Sequence, residues 1–262
     1  MATAAITGTV GDGATEAEIV AGTGTIIITL TGDTWPAAGG GTAGPFTYVQ
    51  SNAALASATT ITLTGVGAGN TIIVFTKWEG VGAATDTSVA DGATPFVAGT
   101  AIHTDTNSFH SQIHYLLSSA GGSRTFTITW PGNTDWAQAV VAEFSHSGAG
   151  AVVEDAEEGG TGSGTALQSN NTNTSVADTA VIGCGASFTG TQAFSSHQIN
   201  DIAADGNVNA TYYVDDDGVY QTSANCYSTM WWRILTGTMS GGHAQVTADQ
   251  SDSWHCHVIS FK

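Results

Sequence analysis

Cations are nearly missing from this chain. Its 262 residues include four Lys and Arg against 22 Asp and Glu, a formal net charge of −18. Phosphate backbones need Lys and Arg to neutralise them, which excludes nucleic acid as a partner. The same shortage excludes an anionic membrane surface. Acids are not massed either, since only 10% of residues carry charge. Cysteine is scarce too: Cys184, Cys226 and Cys256 are odd in number and widely spaced. They match no zinc ribbon or CxxC pattern and read as buried, inert thiols. No apolar run approaches the roughly 20 residues that span a bilayer. The opening MATAAITGTVGDG has neither the cationic nor the apolar region of a secretory signal. Synthesis in a host cytoplasm is therefore expected, with escape by lysis or within a particle. Helical periodicity is almost absent, because Gly, Thr, Ser and Asn interrupt nearly every window.

What is abundant is threonine, with 40 residues, and glycine, with 34; an apolar share of 41% is enough for a core. Period-two alternation recurs. Ile61 and Leu63 alternate with Thr60, Thr62 and Thr64; Phe126, Ile128 and Trp130 alternate with Thr125, Thr127 and Thr129. A strand sends successive side chains to opposite faces, so each set gives one apolar and one hydroxyl face. Branched threonine favours strands while its hydroxyl meets water. Gly-rich punctuation at 65–69, 91–92, 121–122 and 241–242 marks tight turns. The Pro/Gly/Ala stretch at 36–45 separates an N-terminal module, 1–45, from a larger domain, 51–262.

Gly159–Gly164 bisects that larger domain, and its two sides look alike. Asn70–Phe75, His114–Leu117, Gly121-Gly122 and Trp136–Phe144 on one side match Asp178–Ile182, Met230–Leu235, Gly241-Gly242 and Trp254–Phe261 on the other. The expected fold is all-β: an antiparallel, jelly-roll-like β-sandwich with an internal duplication, built from two half-sheets that face each other.

Several segments carry a resemblance. Gly69–Phe75, Thr85–Asp91, Trp136–Ser145 and Val258–Lys262 look like parts of a β-sandwich domain that recurs in structural proteins of tailed-phage virions. Ile6–Val10 and Gly24–Trp35 resemble a short module near the start of phage head and tail proteins. The resemblance implies a virion component: a capsid decoration, head fibre or tail-associated protein. Its partners would be other virion proteins, in a homo-oligomer that family analogy makes a trimer. It brings no catalytic residues, so no enzyme is expected.

Each candidate site competes with a plain structural role. His255 and His257 flank Cys256, and alternation puts both imidazoles on one face about 7 Å apart. They are half of a zinc or copper site if His103, His110 or His114 completes it, and otherwise two polar strand residues. Asp215, Asp216 and Asp217 offer hard oxygens to calcium, but the run lacks the EF-hand pattern and reads first as a solvated turn. Glu154, Asp155, Glu157 and Glu158 form a second such run. Apart from calcium no cofactor is expected. Asp135 and Glu143 flank Trp136 as a glycosidase pair would, yet Glu143 is expected to be an exposed residue beside a core face. Tryptophans 130, 136, 231, 232 and 254 read as core, with Trp136 sharing the face of Val140 and Phe144. Left exposed, a tryptophan would stack on sugar. A carbohydrate-binding adhesion module for a host-surface glycan is the alternative function.

Overall fold

The structure is a computed structural model. It describes residues 17–22, 25–30, 46–54, 58–80, 86–104, 109–132, 134–147, 151–188, 193–200, 212–214, 227–235 and 237–262. The chain divides into two compact units, Met1–Thr42 and Ala43–Lys262. In the first, β1 (Ala17–Gly22) and β2 (Thr25–Leu30) pair as an antiparallel hairpin, with Ile19 opposite Ile28.

The second unit is all-β and antiparallel throughout its described residues. Its first half runs β3 (Phe46–Ala54), β4 (Thr60–Val66), β5 (Thr71–Gly80), β6 (Ser88–Asp91), β7 (Thr94–Pro95), β8 (Val97–Ala98), β9 (Ile102–Thr104), β10 (Phe109–Leu116), β11 (Gly122–Thr129) and β12 (Thr134–His146). One sheet has the order β3-β12-β5-β10-β8, with β9 also on β10; a second has the order β4-β11-β6-β7. Strands β3 to β6 alternate between the sheets, as do β10 to β12, and first and last strands lie side by side. That is a jelly roll.

The second half runs β13 (Glu154–Gln168), β14 (Ala180–Ser187), β15 (Phe194–Asn200), β16 (Tyr212–Val214), β17 (Tyr227–Ile234) and β18 (His243–Phe261). Its order, β13-β18-β14-β17-β16 with β15 on β18, follows the same path as the first half with six strands in place of ten. Two connections differ. Where the first half has separate strands β11 and β12, β18 continues as one strand. Its residues 254–261 pair with β14, and its residues 243–248 pair with β15. Likewise β13 does the work of β3 and β4, with a register break between Gly164 and Ala166. Gly164 takes φ +123°, a backbone conformation open to glycine and strained for other residues.

The duplication is therefore visible as topology, but the layering differs from the expectation. The two halves do not each supply one sheet of a single sandwich. Each half folds into two layers, and the halves stack through their larger sheets. Three apolar clusters fill the gaps. Ile61, Leu63, Phe126, Ile72, Val74 and Val141 lie between the two sheets of the first half. Ile73, Phe75, Ile113 and Phe144 meet Ile182, Met230, Trp232 and Phe261 between the halves. Val181, Trp231 and Val258 meet Leu167, Phe194 and Val246 within the second half. Each large aliphatic or aromatic side chain so buried contributes about 1.5–3 kcal/mol. The stacking explains why β5 and β14 are buried without alternation: both are covered on both faces.

Thr60, Thr62, Thr64, Thr125, Thr127 and Thr129 stand exposed on the outer face of β4 and β11, and Thr62 Oγ1 lies 3.0 Å from Thr125 Oγ1. The edge of β4 is capped. Gln50 and Asn52 on β3 donate side-chain amides to the carbonyls of Thr64 (3.0 Å) and Thr62 (2.8 Å). Those carbonyls are then closed to a foreign strand.

Candidate functional site

The main concentration of buried polar groups lies where β10 faces β18, between the stacked halves. Alternation on β10 sends Phe109, Ser111, Ile113 and Tyr115 toward the second half, and His110, Gln112 and His114 toward the first half's outer sheet. Ser111 Oγ lies 2.8 Å from His255 Nδ1 and 2.8 Å from His257 Nε2. Thr104 Oγ1 lies 2.7 Å from His255 Nε2. The His255 ring stacks on Phe109 with centroids 4.0 Å apart, and His257 meets Phe75 edge-on. His255 and His257 thus share a face, as alternation requires, and hydroxyls from the opposite half occupy three of their nitrogens.

Electrostatics fix the protonation of this chain of groups. Burial, reinforced by His257, His110, Lys77 and His103, pushes His255 down to about 2. Burial alone pushes His257 down to about 3. Both rings are neutral at ordinary pH. Ser111 can donate to one imidazole and accept from the other, so the chain from Thr104 to His257 can be satisfied in one consistent direction.

Lys77 adjoins this cluster and is fully buried. Its Nζ donates to Glu79 Oε1 at 2.7 Å and to the Trp136 carbonyl at 3.3 Å, and stands 5.3 Å from the Phe109 ring centroid. Ser228 Oγ donates to Gln138 Oε1 at 3.1 Å, a further link between the halves.

The other candidate residues disperse. His114 points away from His255, into the first half, where its Nε2 lies 2.7 Å from Thr87 Oγ1 and burial lowers it to about 4. It cannot complete a metal site with His255 and His257. Among the described residues no group of three or more His, Cys, Asp or Glu could hold a metal ion. Asp215, Asp216 and Asp217 lie outside the described residues. The Glu154–Glu158 carboxylates are engaged separately. Tyr115 donates its hydroxyl to Glu154, and Glu157 accepts the Thr100 N–H at 2.9 Å. Asp155 pairs with Lys262 at 2.7 Å and accepts from Ser175. Burial alone would raise Asp155, but these partners outweigh it and hold the carboxyl below its usual range.

Two expectations are corrected. Glu143 is not exposed: it is fully buried, because β12 is covered on both faces. Its carboxylate accepts from Gly67 N at 2.7 Å, Asn70 Nδ2 at 2.5 Å and Gln50 Nε2 at 2.6 Å, tying the β4–β5 turn to β3. It is a structural clamp. Trp136 does not share the buried face of Val140 and Phe144. A register break between Asp135 and Gln138 turns it outward, 40% exposed and at φ +50°. Trp231 and Trp232 are buried as expected, and Trp130 and Trp254 pack partly buried against cores.

No family model matches the sequence, and no curated protein matches it. What bears on function is therefore the geometry of the chain itself. The polar groups between the halves bond to one another, and the Ser111 hydroxyl is fully buried. Sequence reasoning missed Ser111 and Lys77 because nothing local marks them; only the burial of both faces of β5 and β10 makes them notable.

Proposed function

We propose that the chain is a structural protein of a tailed-phage virion, a capsid decoration, head fibre or tail-associated component acting through assembly contacts. The stacked pair of jelly rolls carries the reading. Jelly rolls serve widely as capsid and lectin domains, which is an argument by fold analogy. Two observations support a passive role over a reactive one. The inward polar groups bond across the halves as a lock, and the outer β4–β11 face presents rows of threonine hydroxyls. Residues 1–45 would anchor the chain by strand addition to neighbouring subunits, in a homo-oligomer of closed symmetry. Deleting 1–45 should abolish incorporation into particles while the remaining chain still melts cooperatively. Normal incorporation of the shortened chain would remove the anchor.

Trp136 favours a second reading, a glycan-binding adhesion role. It is the exposed tryptophan among the described residues, held at a strained backbone angle, and such strain collects at ligand sites. Loss of glycan-array binding in Trp136→Ala would support that reading. An array with no binding by the parent chain would end it.

A further inference from the structure

We infer that His103 and His110 form a transition-metal site, holding a divalent ion such as Zn(II) or Cu(II) through their Nδ1 atoms, with water completing the shell. The site is separate from the His255–His257 pair and does not depend on the virion reading. Antiparallel pairing of β9 with β10 places His103 directly opposite His110. Residues so placed have Cβ atoms about 5 Å apart, which lets two imidazoles meet. Their Nδ1 atoms are 2.9 Å apart. Two nitrogens each about 2.1 Å from one ion stand about 3.0 Å apart at a right angle and about 3.4 Å apart at a tetrahedral angle. The nitrogen separation therefore needs to change by only a few tenths of an ångström, with a tilt of the rings that brings both lone pairs to one point off the N–N line.

A second observation sets the tautomer. Asp86 Oδ1 lies 3.1 Å from His103 Nε2. The carboxylate accepts that N–H, so Nδ1 of His103 keeps its lone pair and turns it toward His110. An outer carboxylate on the far nitrogen is the usual support of a metal-bound histidine. Without an ion, His110 Nδ1–H donates to His103 Nδ1. With an ion, that proton leaves Nδ1 of His110, to the ring's other nitrogen or to solvent, and two lone pairs face the metal. Trp78 fixes both rings, lying 5.4 Å from His110 and 6.2 Å from His103 between centroids. His103 is 26% and Asp86 57% exposed, which gives an ion a way in. The nearby Lys77 charge is offset by Glu79. Imidazole donors select zinc, copper or nickel over calcium or magnesium.

The test uses the full chain stripped with EDTA and titrated with zinc chloride by calorimetry and with copper sulfate by electron paramagnetic resonance. The expected result is one ion per chain, with nitrogen hyperfine structure in the copper spectrum. His103→Ala should abolish it, and Asp86→Asn should weaken it ten- to a hundredfold. Absence of binding to the parent chain, or unchanged binding in His103→Ala, would overturn the assignment. Should His103→Ala fail to fold, exposed Asp86→Asn decides alone, and unchanged affinity there would count against the site.

Discussion

Gly183 on β14 lies directly opposite Trp231 on β17, and the indole fills the space that a side chain at 183 would need. A Cβ built at Gly183 would sit 2.3 Å from Trp231 Cε2. Gly162 stands in the same relation to Trp254, at 2.5 Å from Cζ2. Glycine at these positions is a packing requirement of the second jelly roll, since neither residue has a left-handed backbone.

Gly183→Ala should therefore cost about 2–3 kcal/mol, because Trp231 is fully buried and has nowhere to go. Gly162→Ala should cost less, since Trp254 is only partly buried. Urea denaturation measures both, and Trp231→Phe in the Gly183→Ala background should recover part of the loss. A neutral Gly183→Ala would contradict the packing.

Glu143→Ala should destabilise the domain by about 3 kcal/mol. It leaves three donors, on Gly67, Asn70 and Gln50, without their acceptor in a buried place. Glu143→Gln should lie between, as one acceptor becomes a donor facing other donors. A loss below about 1 kcal/mol in Glu143→Ala would mean that water replaces the carboxylate.

Stability should fall as pH drops below 6.5. Above that value His114, His255 and His257 are neutral both folded and unfolded and contribute nothing. Below it the unfolded chain takes up protons that the folded chain refuses, down to about 4, 3 and 2 for the three rings. Each ring then removes about 1.4 kcal/mol per pH unit. At pH 4.5 the three together remove about 8 kcal/mol, which rivals the whole stability of an ordinary domain. Burial also lowers His197 to about 4, in the same direction. The raised pKa of Glu157 opposes the trend weakly. Thermal melts from pH 7.5 to 4.5 should show a steep decline beginning near 6.5. A flat profile would mean that the rings are not buried neutral.

Trp136→Gly should leave stability unchanged or raise it by up to about 1 kcal/mol, because it relieves a non-glycine residue at φ +50°. Trp231→Ala, by contrast, should cost about 3–5 kcal/mol. A strong loss in Trp136→Gly would place that side chain in the core after all.

The sequence shows the half-wet strands plainly. Thr60–Thr64 and Thr125–Thr129 alternate because one face meets water and the other the core. The duplication is also legible, since Trp136–Phe144 and Trp254–Phe261 occupy matching strands. The stacking of the halves is hidden for a physical reason. A strand buried on both faces, such as β5 or β14, loses its alternation and with it any mark of which sheet lies on which side. Glu143 was misplaced by that rule: it sits among apolar neighbours on a strand without a wet face. Ser111 meets His255 and His257 across about 145 positions, a pairing that only the folded sheets create. Trp136 was misread because the register break that turns it outward has no glycine or proline to announce it.

The proposed virion role requires the chain to be a fixed part of a particle. Quantitative mass spectrometry of gradient-purified virions, set against the soluble fraction of the same lysate, tests it most directly. The expected result is this chain in the particle peak at a constant copy number relative to the major capsid protein. Recovery only as a free folded chain in the soluble fraction would contradict it.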